Sequence, residues 1–434
     1  MKKTLLLLLF VAAFGIVSCE DQDDSPYAYY KIATPLTMDL TEFKAQAVGV
    51  TEPVPIAKSG KIYAYGNYIF VNDVNRGFHV IDNTDATAPK NIAFMKLEGN
   101  YDISIKNNRL FADSYGDLVV FDISDIKDIK LINRLEDAIY DDYGYTYPTY
   151  IEWPEADFYE YGAASYDDEA IIGWEVRTER RLRSEFEIAL CISCSSFDGN
   201  ALNSTQSAAS SEASAPTTTG QGGSLARFKI VDKYLYTVDY SNINIFDISD
   251  LENPKMLEDV QVGWNIETIY NQGDILFIGG MQGMYIYDIS APDKPTFVSE
   301  FRHGTACDPV VVDGDYAFVT LRGGNLCGGA ESGLYIVDVS DLANPQLKKT
   351  YAMQEPYGLG FKDDRLFVCD GSAGLKVYDK TDVDNLKLVN HFKNIVTYDV
   401  IPLQNSLLMI GDQVLYQYTY TDNNIRLLST FNLK

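Results

Sequence analysis

Histidine is scarce in this 434-residue chain: His79, His303 and His391 are the three present, far apart in sequence. Their scarcity removes the commonest zinc ligand and general base, although other residues can serve both chemistries. Positive charge is also short. The chain carries 35 Lys and Arg against 62 Asp and Glu, a formal net charge of −27. So acidic a surface repels phosphate backbones, which argues against nucleic acid as a partner. No apolar run reaches the roughly 20 residues of a relaxed membrane-spanning helix. The longest, Leu5 to Val17 with Gly15 included, has thirteen. No P-loop, GxSxG or dinucleotide fingerprint stands in a usable context, and no nucleophile–base motif is seen.

What is present is apolar and aromatic: 46 % hydrophobic and 13 % aromatic residues, with 31 Tyr, suffice for a folded core. The apolar residues recur with a period. Strands ending in Asp appear as Phe78-His79-Val80-Ile81-Asp82, Leu118-Val119-Val120-Phe121-Asp122, Ile243-Asn244-Ile245-Phe246-Asp247, Tyr285-Ile286-Tyr287-Asp288, Leu334-Tyr335-Ile336-Val337-Asp338 and Leu375-Lys376-Val377-Tyr378-Asp379. Successive Asp residues are 40, 125, 41, 50 and 41 positions apart. A seventh copy, Val414 to Leu433, keeps the strand pattern without the Asp.

Each unit of about 41 residues reads as four strands, A to D. In the sixth copy these are Leu359–Phe361, Leu366–Cys369, Leu375–Tyr378 and Lys387–His391. Four strands per period, repeated four to eight times, is the arithmetic of a β-propeller. The expectation is therefore an all-β, seven-bladed β-propeller over residues 38–434, with a long insertion, 139–224, between blades two and three. Whether Met38–Val50 adds a strand to close the ring is open at this stage. The recurring Asp has a structural reading: a carboxylate ending strand C can accept backbone N–H groups of the following turn.

The strings VVFDIS, NIFDISDLENP, YIYDISAPDKP and YIVDVSDLANP resemble the LVIVD-repeat family of bacterial surface proteins. The stretch Gly222-Gly223-Ser224-Leu225-Ala226-Arg227-Phe228 is similar to the Bacteroidetes lipoproteins of that family, as is Cys307-Asp308-Pro309 with Asn325-Leu326-Cys327-Gly328-Gly329. The resemblance implies the propeller fold and a place on the cell envelope; it implies no defined activity.

The N-terminus fits that address. A basic start, the short apolar run and Ile16-Val17-Ser18-Cys19 resemble a lipoprotein signal peptide, residues 1–18, with Cys19 as the lipidated residue. Glu20-Asp21-Gln22-Asp23-Asp24 is similar to the acidic export tag of Bacteroidetes lipoproteins, in a linker spanning 19–37. The expected location is the outer membrane, anchored by lipid and facing the exterior, with the lipid as the membrane contact.

Both insertions, 139–224 and the shorter B-to-C loop 322–333 of blade five, are expected on the face shared by the D-to-A and B-to-C connections, where a repeat scaffold commonly does its work. Residues 139–224 begin with a Tyr-dense acidic half. Tyr143, Tyr145, Tyr147, Tyr150, Trp153 and Trp174 form a candidate aromatic contact surface for protein or glycan; the other reading packs these rings into a small subdomain. Residues 195–224, rich in Ser, Thr, Ala and Gly, read as flexible.

In an oxidising envelope Cys307 is expected to pair with Cys327, pinning the B–C loop of blade five by roughly 3 kcal/mol. Cys191 and Cys194 are expected to form a local disulfide, and Cys369 to be a buried thiol. Aligning the start of strand A across blades gives Lys61, Asp102, Arg227, Glu267, Asp308, Gly358 and Asp399. Those charges would ring the channel mouth as paired solvated groups, or hold a polar ligand or Ca²⁺ through oxygen ligands. Asp102, Asp308 and Asp399 are the strongest candidates. The function these features suggest is a binding or scaffolding module. The alternatives are a carbohydrate-active enzyme using carboxylates at the mouth and a structural subunit of an outer-membrane complex.

Overall fold

Each repeat folds as a four-stranded antiparallel meander, as short alternating runs broken by Gly, Asn and Asp turns require. The computed structural model describes residues 25–139, 146–148, 150–165, 167–184, 219–304, 309–323, 331–421 and 424–434. Among them are seven such sheets. Sheet 1 is Ser59–Tyr65, Tyr68–Asp73, Gly77–Asp82 and Lys90–Leu97; sheet 2 is Ile103–Lys106, Arg109–Ser114, Asp117–Asp122 and Lys130–Leu135. Sheet 3 is Phe228–Val231, Tyr234–Val238 and Asn242–Asp247, with its outer strand split into Lys255–Met256 and Val260–Gln261. Sheet 4 runs from Ile266 to Arg302, sheet 5 from Val310 to Ala352, sheet 6 from Leu359 to Phe392 and sheet 7 from Asp399 to Asn432.

The strand-end Asp does the turn work expected of it. Asp82, Asp122, Asp247, Asp288, Asp338 and Asp379 each accept the backbone N–H two residues ahead, at 2.7 to 3.1 Å. Sheet 7 has no use for it. Its third and fourth strands pair as far as Thr421 and Asn424, leaving two residues between them rather than a long connection.

The core lies between sheets. Phe70 and Met95 of sheet 1 pack against Ile103 and Leu110 of sheet 2, and equivalent clusters join each following pair up to sheets 6 and 7. A further cluster sets Ile401, Leu408 and Leu415 of sheet 7 against Ile62, Ile69 and Val71 of sheet 1. The first strand of each sheet touches that of the next in cyclic order, Asp399–Pro402 meeting Ser59–Tyr65. Every sheet therefore buries both faces against neighbours.

The contact between sheets 7 and 1 shares no strand. Val48–Thr51, from the stretch left open by the sequence, instead adds to the outer edge of sheet 1, pairing with Lys90–Leu97. Hydrogen bonds join the two sheets: Ile56 N to Leu433 O at 3.0 Å, Ser59 Oγ to Gly411 O at 2.8 Å, and a reciprocal amide pair between Asn83 and Gln417.

The long insertion does not stay on one face. It leaves sheet 2 beside the B–C turn, where Ile139 N donates to Gly116 O. It returns at the other end of the first strands, where Thr219 bridges Lys106. From there the chain runs along the inner edges: Gln221 and Gly222 pair with Ala64 and Tyr63, and Gly220 N donates to Ile105 O. Ser224 Oγ accepts Leu359 N, and Ala226 O accepts Ile269 N, before Phe228 starts sheet 3. The physical reason is that first strands have an unpaired inner edge, and a Gly-rich segment is narrow enough to satisfy it. Gly223 lies so close that a Cβ there would sit 2.2 Å from both carboxylate oxygens of Asp399.

A separate compact unit contains a three-stranded sheet ordered Phe158–Tyr159, Tyr27–Asp39, Glu169–Leu182. The segment expected as an anchor linker thus enters a strand at Tyr27. In this unit Arg177 and Arg181 alternate with Glu160 and Glu179 in a four-membered ion-pair network. Among the described residues no helix is long and apolar enough to cross a membrane.

Candidate functional site

A second recurring aspartate stands at or just past the end of strand B, where its apolar run stops. Asp73, Asp113, Asp239 and Asp370 precede the strand-C Asp by 9, 9, 8 and 9 positions, and all four are buried. Three of them hold the loop that enters strand A. Asp73 accepts Ala57 N and Lys58 N, Asp113 accepts Tyr101 N and Asp102 N, and Asp370 accepts Gln354 N and Glu355 N. Asp239 instead ties the B–C turn through Ser241 N and Asn242 N. The recurring spacing was the available signal; sheets 4 and 5 obscure it by carrying Gly280 and Thr320 at this level.

These loops surround a cavity of about 740 Å³ with walls from all seven sheets. Lys61, Arg227 and Glu267, picked out by alignment, line it. Asn100, Tyr101, Tyr240, Arg322, Tyr357 and Tyr398 also line it and were missed: Tyr101, Tyr357 and Tyr398 stand one position before aligned residues, and Asn100, Tyr240 and Arg322 sit in loops of unequal length. Asp308 lies outside the described residues, as do Cys19, Cys191, Cys194, Cys307, Cys327, Tyr143 and Tyr145.

Asp102 and Asp399 sit at their aligned strand starts but do not form the cavity wall. Asp102 Oδ1 accepts Ile103 N, and Oδ2 accepts the backbone N–H groups of Arg227 and Phe228. Asp399 Oδ1 accepts Val400 N, while its buried Oδ2 has no hydrogen-bond partner. Burial pushes the Asp399 carboxyl up to about 7, against the opposing pull of backbone N–H groups and Lys61. Among the described residues no three His, Cys, Asp or Glu side chains converge as metal ligands. Of the carboxylates proposed for Ca²⁺, Asp102 is turned toward backbone amides with both oxygens and Asp399 with one, a turn-building use that desolvated carboxylates share.

The cations are placed differently. Lys61 Nζ is 3.6 Å from Asp102 Oδ2 and makes no hydrogen bond. Burial pushes its ammonium below the usual lysine range, and Arg227 adds to that while Asp102 opposes it. Arg227 donates through Nη2 to Ile266 O at 3.0 Å, and its guanidinium lies 4.9 Å from the Tyr101 ring centroid. Its Nε is buried without a hydrogen-bond partner. Arg322 stands 4.0 Å over the Tyr357 ring, which meets Tyr398 edge-on at 5.1 Å.

The aromatic residues of the insertion divide. Trp153, Tyr159, Tyr161 and Trp174 pack on one another with centroids 5.0 to 5.8 Å apart along the Trp153 and Trp174 contacts. Trp174 is partly buried in this cluster, while Trp153 joins it and stays 47 % exposed. Tyr150 is 73 % exposed and Tyr147 is also exposed, as a contact surface requires. Cys369 is buried in strand B of sheet 6, where burial raises its thiol well above the ordinary range.

Compared with known proteins, the chain carries LVIVD repeats, matched at residues 57–102, 222–262, 268–302 and 303–353. No curated protein matches it in sequence. Among solved structures, a protein from Lactobacillus plantarum is similar in fold at 11 % identity, covering 86 % of this chain and 96 % of that one, with a TM-score of 0.51. BamB from Moraxella catarrhalis aligns at 9 % identity over 82 % of each chain, with a TM-score of 0.45. A functionally unknown protein from Desulfotomaculum acetoxidans aligns at 12 % identity, covering 85 % of this chain and 99 % of that one, with a TM-score of 0.49.

Proposed function

We propose that these LVIVD repeats form a seven-bladed β-propeller, lipid-anchored through Cys19 on the outer face of the outer membrane, that works as a binding module. The observation that carries the binding reading is a cavity walled by every sheet, with a volume in the range of small-molecule sites. The cyclic contacts of the first strands support the propeller. The enzyme alternative loses Asp102 and Asp399, which stand outside the cavity wall, Asp102 being committed to backbone amides; Glu267 and Asp412 are the described carboxylates left on that wall.

The test has two arms. Thermal shift of the mature chain against glycans and divalent cations should find a ligand that stabilises by mass action. Met281→Trp, which fills the mouth from a B–C turn, should abolish the shift; a shift that survives places binding elsewhere. On cells, Cys19→Ala should lose a clickable fatty-acid label, and external protease should degrade the parent protein. A label retained by Cys19→Ala, or full protection from protease, would sink the anchor or its orientation respectively.

A further inference from the structure

We infer that the mouth cavity binds an acidic carbohydrate, its anionic group held by Lys61 and Arg227 and its ring laid against the tyrosines. This rests on the binding-module reading and names the ligand class for the same site.

Charge is the first argument. The chain has 35 basic and 62 acidic residues, yet the described cavity wall carries four bases, Lys58, Lys61, Arg227 and Arg322, against two acids, Glu267 and Asp412. The local sign is opposite to that of the whole molecule. Sequestering cations is costly unless something compensates them. The nearest carboxylate oxygen to Lys61, Asp102 Oδ2 at 3.6 Å, is already taken by two backbone N–H groups, and Asp113 and Asp399 act on its ammonium without hydrogen-bonding it.

Unmet hydrogen bonds are the second. Lys61 Nζ and Arg227 Nε are buried donors without a hydrogen-bond partner, and Asn100 Oδ1 is a buried acceptor in the same condition. All three residues are on the cavity wall. Buried polar atoms of native proteins are normally satisfied, so three on one wall point to a ligand that satisfies them. Two donors and an acceptor suit a carboxylate or sulfate beside a hydroxyl, the pattern of an acidic sugar. The amide of Asn100 cannot turn to serve the anion itself, because its Nδ2 is bound to Asp102 O and Asp113.

Shape is the third. Tyr101, Tyr240, Tyr357 and Tyr398 supply ring faces and edges around the cavity, and Tyr240 is buttressed edge-on by Trp264 at 5.9 Å. Rigid rings offer contact area at little entropic cost. About 740 Å³ accommodates a short oligosaccharide rather than a single small ion. Nucleic acid, the other common polyanion, is disfavoured by the chain's net charge of −27.

A glycan array that pairs uronate-bearing, sialylated and sulfated oligosaccharides with their neutral counterparts tests this on the full mature chain. Binding is expected to acidic members alone, to weaken as NaCl rises, and to fall about tenfold or more in Lys61→Gln, with partial recovery in Lys61→Arg. Tyr240→Ala, at a partly exposed position, should weaken binding while keeping the parent melting temperature, which guards against a Lys61 variant that fails to fold. The sulfated and carboxylated members separate the two anion sources. Equal binding of neutral counterparts overturns the acidic assignment and leaves the binding module standing. Silence of every array member overturns the carbohydrate assignment; the module reading then falls only if the wider thermal-shift panel is silent as well.

Discussion

Sheet 6 carries two aspartates nine positions apart, at opposite ends of the fold. Asp370, past the end of strand B, is fully buried. It accepts Gln354 N and Glu355 N and forms a 2.6 Å ion pair with Lys376. Asp379, at the end of strand C, accepts Thr381 N and Oγ1 and faces solvent with Arg365 3.2 Å away. Both fix a turn, but burial separates their consequences. The mouth end of the sheets is built from desolvated charges that hold the loops around the cavity. The far end is built from solvated turn fasteners, each replaceable by water. A scaffold arranged this way can vary its outer turns cheaply and must keep its mouth.

Asp370→Ala should break this comparison hardest. It strands a nearly buried Lys376 ammonium and two backbone N–H groups, a loss of about 3–5 kcal/mol by analogy with other broken buried pairs. Denaturant midpoints of Asp370→Ala and Asp379→Ala, measured side by side, check it. Equal midpoints would mean that burial is not what separates the two ends.

Asp399 sharpens the contrast through pH. Burial raises its carboxyl to about 7 in the fold, against an ordinary value near 3.8. Between those values the folded chain holds more protons at this site than the unfolded chain. Stability from this group therefore falls as pH rises from about 4 to about 7, and levels off above. Asp399→Asn removes that penalty while keeping an acceptor for Val400 N. Its melting temperature should exceed the parent's at pH 8, by a gain on the order of 2 kcal/mol, and match it near pH 4. A lower melting temperature at pH 8 would mean that an ionised Asp399 stabilises the mouth through Lys61.

Gly223→Ala probes the segment threaded along the inner edges. The added Cβ would lie 2.2 Å from the Asp399 oxygens, and both neighbours must move. Overpacking of this kind costs about 1–3 kcal/mol. Combining it with Asp399→Ala should recover most of the loss, a non-additivity expected of direct contacts; strict additivity would place the segment elsewhere.

Much of the fold was legible because it is local. The strands of sheet 6 begin and end within one residue of the positions read from alternation and turns. The strand-C Asp was equally plain, since it bonds two residues ahead. The strand-B Asp was not, because its partners lie up to 16 positions back and its neighbours are apolar. Residues 219–224 read as flexible from composition, yet Gln221 and Gly222 pair with strand residues more than 150 positions away. Composition carries no trace of such pairing. At the mouth, alignment found Lys61 and Arg227, which lie within two residues of a strand start, and missed Asn100 and Arg322, which belong to loops of unequal length.

The smallest expected effect is that of Asp379→Asn, and it is the most specific check on the solvated end. The hydroxyl and N–H of Thr381, with Arg365 nearby, hold the Asp379 carboxyl down at about 2. A depressed carboxyl stabilises above its unfolded value, near 3.8, and the contribution disappears as pH falls through about 2. The group is partly exposed, so water and salt screen much of the interaction. The variant should therefore melt slightly below the parent at pH 6, with the gap narrowing as pH drops below about 4 and as salt is added. A gap as large as that of Asp370→Ala, or one indifferent to pH and salt, would show that the turn fasteners carry buried structure, and the division between the two ends of the sheets would fail.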